Sequence, residues 1–473
     1  MRNDSRDLPP AQPRGAPITV DFEGRAIRAF EGEPVAVALH AAGIKVLGRS
    51  SKYHRPRGLF CLEGHCASCY LRIDGRPNRR ACMTPARAGL RCERQNAFPS
   101  ADVDLLHAAD WLFPEGMDHH TMMTGTRVVN RLFLKLVRQM GGSGTLPDAP
   151  AAALDAGQRA PAIEVPDLCV VGGGPAGLTA ARAFAEAAPG ARVLLFDEQT
   201  APGGSLLATP GGGARARALT SAAERAGVRV QPVATAIAFF PEDGGVLAVV
   251  TPAGLRRIAA RRFLYATGAY DQNLPFADND RPGVVSARAC GRLAFQYGVR
   301  PVPAGQRVVV LSAATASGAA DLAAALAAAG VEVELVEVAS DLHAAASADG
   351  DQGAGAGGGA RVVGARGTQA VRGLEIQDGN PGGATRVVAA DLVAVAALPA
   401  PASELPRQHG AEATLDLARG GFAVAVDSRF QTRAPRVYAC GDITGFAGWQ
   451  AALHAGESAG RAIAADAAAE PAP

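Results

Sequence analysis

Five of the eight cysteines in this chain of 473 residues, Cys61, Cys66, Cys69, Cys82 and Cys92, fall within 32 residues, whereas Cys169, Cys290 and Cys440 stand alone. Eight are too few to staple a chain of this length as a disulfide scaffold, so the clustering marks a metal or a metal–sulfur centre. Cys61-Leu-Glu-Gly-His-Cys66-Ala-Ser-Cys69 is C-x4-C-x2-C, and Cys82 follows after twelve intervening residues. That spacing suits a [2Fe–2S] cluster, because one loop wraps the centre while a remote strand or turn delivers the fourth thiolate. Gly64 would supply the left-handed backbone such a loop needs. Four thiolates also suit a structural zinc ion, although zinc knuckles usually pair their cysteines in two C-x2–4-C units. Cys92 lies outside the pattern and reads as a plain buried thiol.

Ahead of the cysteines, Ile18, Val20 and Phe22 alternate up to Glu23-Gly24, beyond which Ile27 and Ala29 fall on the same face. This predicts a β-hairpin on a two-residue turn. Pro34 then opens a helix in which Val35, Ala38, Leu39 and Ala42 make one apolar stripe, closed by Gly43. A hairpin covered by a helix is how a small β-grasp fold begins. With the cysteine loop added, residues 17–100 resemble a [2Fe–2S] ferredoxin-type domain, with Cys61, Cys66, Cys69 and Cys82 as the ligands. The basic residues Lys52, His54, Arg55, Arg57, Arg72, Arg79 and Arg80 would either favour the more negative reduced cluster or form a solvated face.

A second signature starts at Asp167-Leu-Cys-Val-Val, a short apolar strand that runs into Gly172-Gly-Gly174-Pro175-Ala176-Gly177 and a helical Leu178-Thr-Ala-Ala-Arg-Ala-Phe. In G-x-G-x-x-G the first glycine permits the tight turn, the second lets backbone approach a pyrophosphate, and the third lets helix pack on strand. The phosphate would sit at the helix N-terminus, where free N–H groups favour an anion. Ala191-Arg-Val-Leu-Leu-Phe-Asp-Glu198 is a second strand ending in acids about 20 residues on, placed to bind a ribose. Glu198 is preferred to Asp197, because its spacing to Gly203-Gly204 resembles that of the two-dinucleotide-binding flavoproteins. The strand end Ala-Thr267-Gly268 and the late Ala-Cys-Gly441-Asp442 before a helix resemble two further FAD motifs of that family. The resemblance implies that Asp442 accepts a ribityl hydroxyl; read alone, that residue could be a helix N-cap. FAD is the expected ligand, with NAD or another adenine nucleotide as the alternative.

Residues 307–338 repeat the strand–helix–strand layout, but Ala313 and Ala314 stand where glycines would admit a pyrophosphate. A working NAD(P)H site there is not expected, and a lone Cys290 excludes dithiol chemistry. Composition shifts set the joints: a disordered arm over 1–16, the ferredoxin-like domain over 17–100, a helical connector over 101–140 and a Gly/Ala/Pro-rich linker over 141–165. The first half of the FAD domain follows over 166–281, a degenerate second Rossmann-type domain over 282–385, the second half over 386–466 and a tail over 467–473. The glycine-rich stretch from Ser340 to Ala360 reads as a surface loop. A net charge of +2 without blocks of like charge argues against nucleic acid, and no stretch of 18 apolar residues suggests a membrane span. The first residues lack an apolar core of the signal-peptide kind, so a cytoplasmic protein is expected.

A ferredoxin-like module carrying Lys52-Tyr-His-Arg-Pro-Arg-Gly58, joined to a two-dinucleotide-binding fold of the glutathione and thioredoxin reductase kind, resembles the α subunit of heterotetrameric sarcosine oxidase. It is also similar to the α subunits of multi-subunit proline, hydroxyproline and opine dehydrogenases and to hydrogen cyanide synthase. The resemblance implies an electron-transfer subunit that relays electrons through FAD and a [2Fe–2S] cluster. The amine or imino acid would be oxidised on an FAD-containing β subunit, with small additional subunits in a larger hetero-oligomer. Sarcosine oxidase α lacks the full cysteine set that this chain keeps, which favours a dehydrogenase that exports electrons. No catalytic residue stands out by motif, and His119-His120 lacks the helical spacing of a metal pair. Two other readings are a self-contained NAD(P)H-dependent reductase and a non-catalytic scaffold holding a nucleotide and zinc.

Overall fold

The hairpin forms where the alternation places it. Pro17–Phe22 pairs antiparallel with Arg25–Phe30, and Phe22 faces Arg25 across Glu23 and Gly24, whose φ angles are +52° and +79°. Two left-handed residues make the mirror-image turn whose twist matches that of the strands. The hairpin is one edge of a five-stranded sheet in the order Arg25–Phe30, Pro17–Phe22, Arg91–Glu93, Tyr70–Ile73, Arg76–Arg80. Its central pair, Pro17–Phe22 with Arg91–Glu93, is parallel, and the helix Val35–Ala41 begins directly after Pro34. This computed structural model describes residues 5–51, 53–108, 110, 161–242, 244–313, 318–338, 360–378 and 383–469.

The helix has more than the single apolar stripe read from the sequence, since Ala36, Val37 and Ala41 are buried along with Val35, Ala38 and Leu39. It is covered twice, by its own sheet and by the second Rossmann-type unit, and one apolar core runs from Val20 and Leu39 to Leu293 and Val308.

The nucleotide domain is a five-stranded parallel sheet in the order Arg229–Gln231, Val193–Phe196, Leu168–Val171, Arg262–Tyr265, Val437–Ala439. The helices Pro175–Ala187 and Gly448–Ala469 pack against each other so closely that a β-carbon on Gly456 would lie 2.4 Å from the Ala176 carbonyl oxygen. That contact fixes the N-terminus of the first helix at the top of the sheet. The strand Leu168–Val171 is buried throughout, as its unbroken apolar run predicts for a parallel sheet covered on both faces.

The second unit has its own parallel sheet, ordered Val284–Ser286, Leu392–Ala396, Arg307–Ala313, Glu332–Val338, with the helix Ala319–Ala328 between the last two strands. The boundary expected at 385 is therefore too early: Leu392–Ala396 pairs with both Val284–Ser286 and Arg307–Ala313 and belongs to this unit. The chain crosses between the domains at Ala269–Tyr270 and Ala400–Pro401, which pair with each other.

The expectation of a disordered arm also needs correcting for residues 5–16. Ser5 N–H donates to the Ala41 carbonyl at 3.2 Å, Leu8 to Gly298 at 3.2 Å and Ala11 to Gln296 at 3.0 Å, while Arg300 N–H donates to Ser5 at 2.7 Å. Arg6 forms an ion pair with Glu33 at 2.8 Å. Prolines and charges suggest disorder by composition, but here they meet carbonyls left free at a helix end and in the 296–298 turn. Most of the connector and linker, the loop before Ala360, Ala314, His119-His120, and residues 470–473 lie outside the described residues. No described helix is long and apolar enough to cross a membrane.

His40 closes the joint between the two domains, its Nε2–H donating to the Pro301 carbonyl at 2.8 Å. Burial pulls its pKa from 6.5 down to about 4 against the opposing carbonyl, with Lys45 adding a smaller push downward. A pKa lower in the folded than in the unfolded state means that the unfolded chain binds the extra proton. The stabilisation is therefore complete above pH 6.5 and drains away as pH falls toward 4. Urea unfolding of wild type should show stability falling over that window more steeply than in His40→Gln. Parallel curves would contradict this assignment.

Candidate functional site

The strand Leu168–Val171 ends in a turn built by close backbone approach. Gly172 has φ +106°, and a β-carbon there would lie 2.3 Å from the Ala266 carbonyl oxygen. On Gly177 it would lie 1.9 Å from the Gly172 carbonyl oxygen, so strand turn and helix touch. Gly174 is different, because the nearest atom to its β-carbon position is Gly204 Cα at 3.8 Å. The middle glycine thus opens onto free space beside the N-terminus of Pro175–Ala187, a space that suits an anion and that a side chain would fill.

Asp197 and Glu198 take separate roles. Asp197 is buried and accepts from the Gly173 and Gln199 amides, each at 2.7 Å, so it ties the turn to the strand end. Glu198 points into the cavity, where burial lifts its carboxyl above the usual range. Thr267 donates to the Ala402 carbonyl at 2.8 Å, holding the crossing between domains beside the cavity. Asp442 accepts from the Ala447 amide at 3.2 Å just before the helix Gly448–Ala469, so it caps that approach while lining the cavity. The cavity measures about 350 Å³, and Gly172, Gly174, Pro175, Ala176, Glu198, Gly204, Thr267, Gly268 and Asp442 all line it. Gly177, Gly203 and Gly441 stand behind it and shape the backbone.

The cysteine loop bends inward through three left-handed residues, Leu62 at φ +55°, Gly64 at +90° and Ala67 at +57°. Cys61, Cys69 and Cys82 are buried and Cys66 is half-exposed. Their sulfurs form a chain of contacts, Cys66 to Cys61, Cys61 to Cys82 and Cys82 to Cys69. Hydrogen bonds from these neighbours hold Cys61 and Cys69 below the usual thiol range, and donating those bonds lifts Cys66 and Cys82 above it. Backbone amides also point at sulfur, with Glu63 N–H 3.4 Å from Cys61 Sγ. Four cysteines gathered by one loop and the turn at Ala81–Met83 are the donor set that a [2Fe–2S] cluster uses. Cys92 is a buried thiol apart from this set, its pKa pushed up to about 12 chiefly by burial.

The two sites share a wall. Glu63 and His65, both inside C-x4-C, line the nucleotide cavity. Glu63 forms an ion pair with Arg292 at 2.5 Å, with side chains only 9% and 2% exposed. Burial works to raise the Glu63 carboxyl, but the Arg292 and Arg288 guanidiniums overcome it and hold the group below its usual range. Arg288 is spent on Asp271, which also accepts from Ser286 Oγ at 2.6 Å. His65 Nε2 lies 3.5 Å from Glu198, and its ring sits 4.6 Å from that of Tyr270.

Three of the basic residues near the loop have acidic partners: His54 lies 2.9 Å from Asp104, Arg55 2.7 Å from Asp110 and Arg57 2.8 Å from Asp280. Sequence reasoning missed Glu63, His65, Tyr270, Arg288 and Arg292. Glu63 and His65 read as spacers between cysteines. Arg288 and Arg292 carry only an i, i+4 spacing that any helix face shows.

Residues 15–97 match the family described as a 2Fe-2S iron-sulfur cluster binding domain, and residues 166–459 match the pyridine nucleotide-disulphide oxidoreductase family. The chain is 34% identical over 409 residues to the sarcosine oxidase subunit alpha of Rhizobium meliloti, covering 81% of this chain and 40% of that one. It is 40% identical over 81 residues to the hydrogen cyanide synthase subunit HcnA of Pseudomonas aeruginosa, covering 17% of this chain and 77% of that one. It thus spans less than half the length of the sarcosine oxidase subunits it matches, 40% and 44%. The L-proline dehydrogenase from P. horikoshii shares the fold with a TM-score of 0.68 at 19% identity, over 99% of this chain and 77% of that one. The cofactors that go with these two domains are a [2Fe–2S] cluster and FAD.

Gly177→Ala puts a methyl group where strand turn and helix touch, and neither backbone can give way without closing the space beside Gly174. The variant should lose roughly ten-fold or more in FAD affinity by calorimetry, more than 1.4 kcal/mol, with its iron content unchanged. Unaltered FAD binding would contradict the placement of the phosphate.

Proposed function

We propose that this chain, which belongs to the pyridine nucleotide-disulphide oxidoreductase family and carries a 2Fe-2S domain ahead of it, is the electron-transfer (α) subunit of a multi-subunit flavin-dependent amine or imino-acid dehydrogenase or oxidase. Sarcosine, proline, hydroxyproline and opines are the substrate types. A partner β subunit with its own FAD oxidises the substrate, small further subunits complete a hetero-oligomer in the cytoplasm, and this chain carries the electrons away. The observation that carries the reading is the shared wall: Glu63 and His65 of the cysteine loop line the nucleotide cavity. The names of the relatives point the same way, since two of them are subunits of a sarcosine oxidase and of a hydrogen cyanide synthase.

When bound, FAD supplies two-electron storage and the [2Fe–2S] cluster one-electron storage, side by side. In this assignment the turn through Gly172, Gly174 and Gly177 and the helix N-terminus at Pro175 and Ala176 hold the pyrophosphate. Glu198 accepts from the adenosine ribose, Asp442 from the ribityl chain, and Gly203, Gly204, Thr267, Gly268 and Gly441 shape the channel between them. Cys61, Cys66, Cys69 and Cys82 hold the iron. The buried Glu63–Arg292 pair lies between the two sites, with the His65 ring tilted against Tyr270 beside it.

The two carboxylates most deeply buried beside the cavity have structural partners, Glu63 in Arg292 at 2.5 Å and Asp197 in the Gly173 and Gln199 amides at 2.7 Å, which supports electron relay over substrate chemistry. No residue of the chain is assigned a catalytic role.

The test is an absorption spectrum of the purified chain with iron and zinc analysis, followed by NADH, proline or sarcosine, and dithionite. Flavin bands, a broad shoulder, about two irons per chain and bleaching by dithionite alone are expected, with substrate bleaching restored once the β subunit is added. Rapid bleaching by NADH alone would replace the proposal with a self-contained reductase. A colourless protein with zinc would leave a nucleotide-holding scaffold.

A further inference from the structure

The loop that carries the thiolates is gripped from the nucleotide side. Arg292 reaches from Glu63 to the Gly204 carbonyl at 3.1 Å and to Gln296 Oε1 at 2.9 Å. Gln199, next to Glu198, donates its side-chain amide to the Glu63 carbonyl at 3.2 Å and lies 3.7 Å from the sulfur of Met83, the residue after Cys82. Arg80 donates to the Gly64 carbonyl at 2.7 Å. Both segments that deliver cysteine sulfur therefore touch the strand end at 197–199, and the loop is also tied to Gly204.

These contacts are not interchangeable with ordinary packing. Neither buried charge of the ion pair can leave without stranding the other, so the cysteine loop cannot shift unless Arg292 shifts with it. Arg292 in turn holds Gly204, whose β-carbon position lies 2.9 Å from Gly174 Cα. The chain of contact runs from Cys61 and Cys66 through Glu63, Arg292 and Gly204 to Gly174.

We propose that the Glu63–Arg292 pair is a positioning device that couples the two cofactor sites, so that the dinucleotide and the [2Fe–2S] cluster are held cooperatively. The inference rests on the reading that the cavity takes the dinucleotide and the four cysteines the cluster. Whatever orders the Gly204 turn orders Arg292 and, through Glu63, the cysteine loop. Coupling of binding free energies is reciprocal, so an assembled cluster strengthens dinucleotide binding by the same factor.

The experiment follows release of iron from the full-length protein to a chelator, with the flavin stripped and then with FAD restored, and calorimetry confirms FAD binding in each sample. In wild type, FAD should slow iron release roughly five-fold or more. Glu63→Gln alone strands a buried guanidinium and threatens folding, so the deciding variant is Glu63→Leu with Arg292→Met, which removes both charges and keeps the volume filled. That double variant, with a circular dichroism spectrum like that of wild type, should hold both cofactors and release iron at nearly the same rate with or without FAD. Equal rates in wild type with FAD demonstrably bound would overturn the proposal, as would a double variant that keeps the full protection. A chain that binds no FAD at all would remove the cofactor reading along with it, and calorimetry tells the two failures apart.

Discussion

Glu63 and Arg292 are almost wholly buried, and each charge is compensated by the other 2.5 Å away. Replacing such a pair with apolar groups is often neutral or stabilising, so its presence is weak evidence for stability as such. What it does is fix geometry. One partner belongs to the cysteine loop of the first domain, the other to the helical segment that starts at Ala287 in the second Rossmann-type unit, and both face the cavity of the nucleotide domain. Three domains therefore meet at one ion pair. The apolar core running from Val20 to Val308 joins two of them, the cysteine domain and the second Rossmann-type unit.

Much of this was legible in the sequence because local rules agreed with the global fold. The Glu23-Gly24 turn, the Pro34 helix start, the G-x-G-x-x-G turn and the cysteine spacing each require a particular backbone, and the fold supplies it. Asp197 and Glu198 both line the cavity, Asp197 accepting from two backbone amides and Glu198 lying near His65. The domain boundary near 385 failed for a definite reason. Leu392–Ala396 is a buried apolar strand that suits either parallel sheet, and only its pairing partners decide between them.

What was not legible is whatever depends on how domains dock. Glu63, His65, Arg292 and the residues 5–16 carry no periodicity or motif, because their roles come from partners more than 100 residues away or on another domain. The second Rossmann-type unit shows what that docking uses. Its helix start is glycine-poor, and its surface instead backs the iron–sulfur domain through Lys45 to the Asp391 carbonyl at 2.8 Å and Ser286 N–H to the Phe60 carbonyl at 3.0 Å. The second unit thus brackets the cysteine domain. The cluster loop is thereby set against the first nucleotide site, as the proposed relay requires.

The shared wall would set dinucleotide and cluster against each other. Phosphorus NMR of the FAD-loaded protein tests it most directly, because a reduced [2Fe–2S] cluster is paramagnetic while its oxidised form and fully reduced flavin are not. Reduction should broaden both pyrophosphate resonances strongly, and reoxidation should restore them. Sharp phosphorus lines that ignore the cluster's oxidation state would place the dinucleotide away from the cysteine loop and contradict the account.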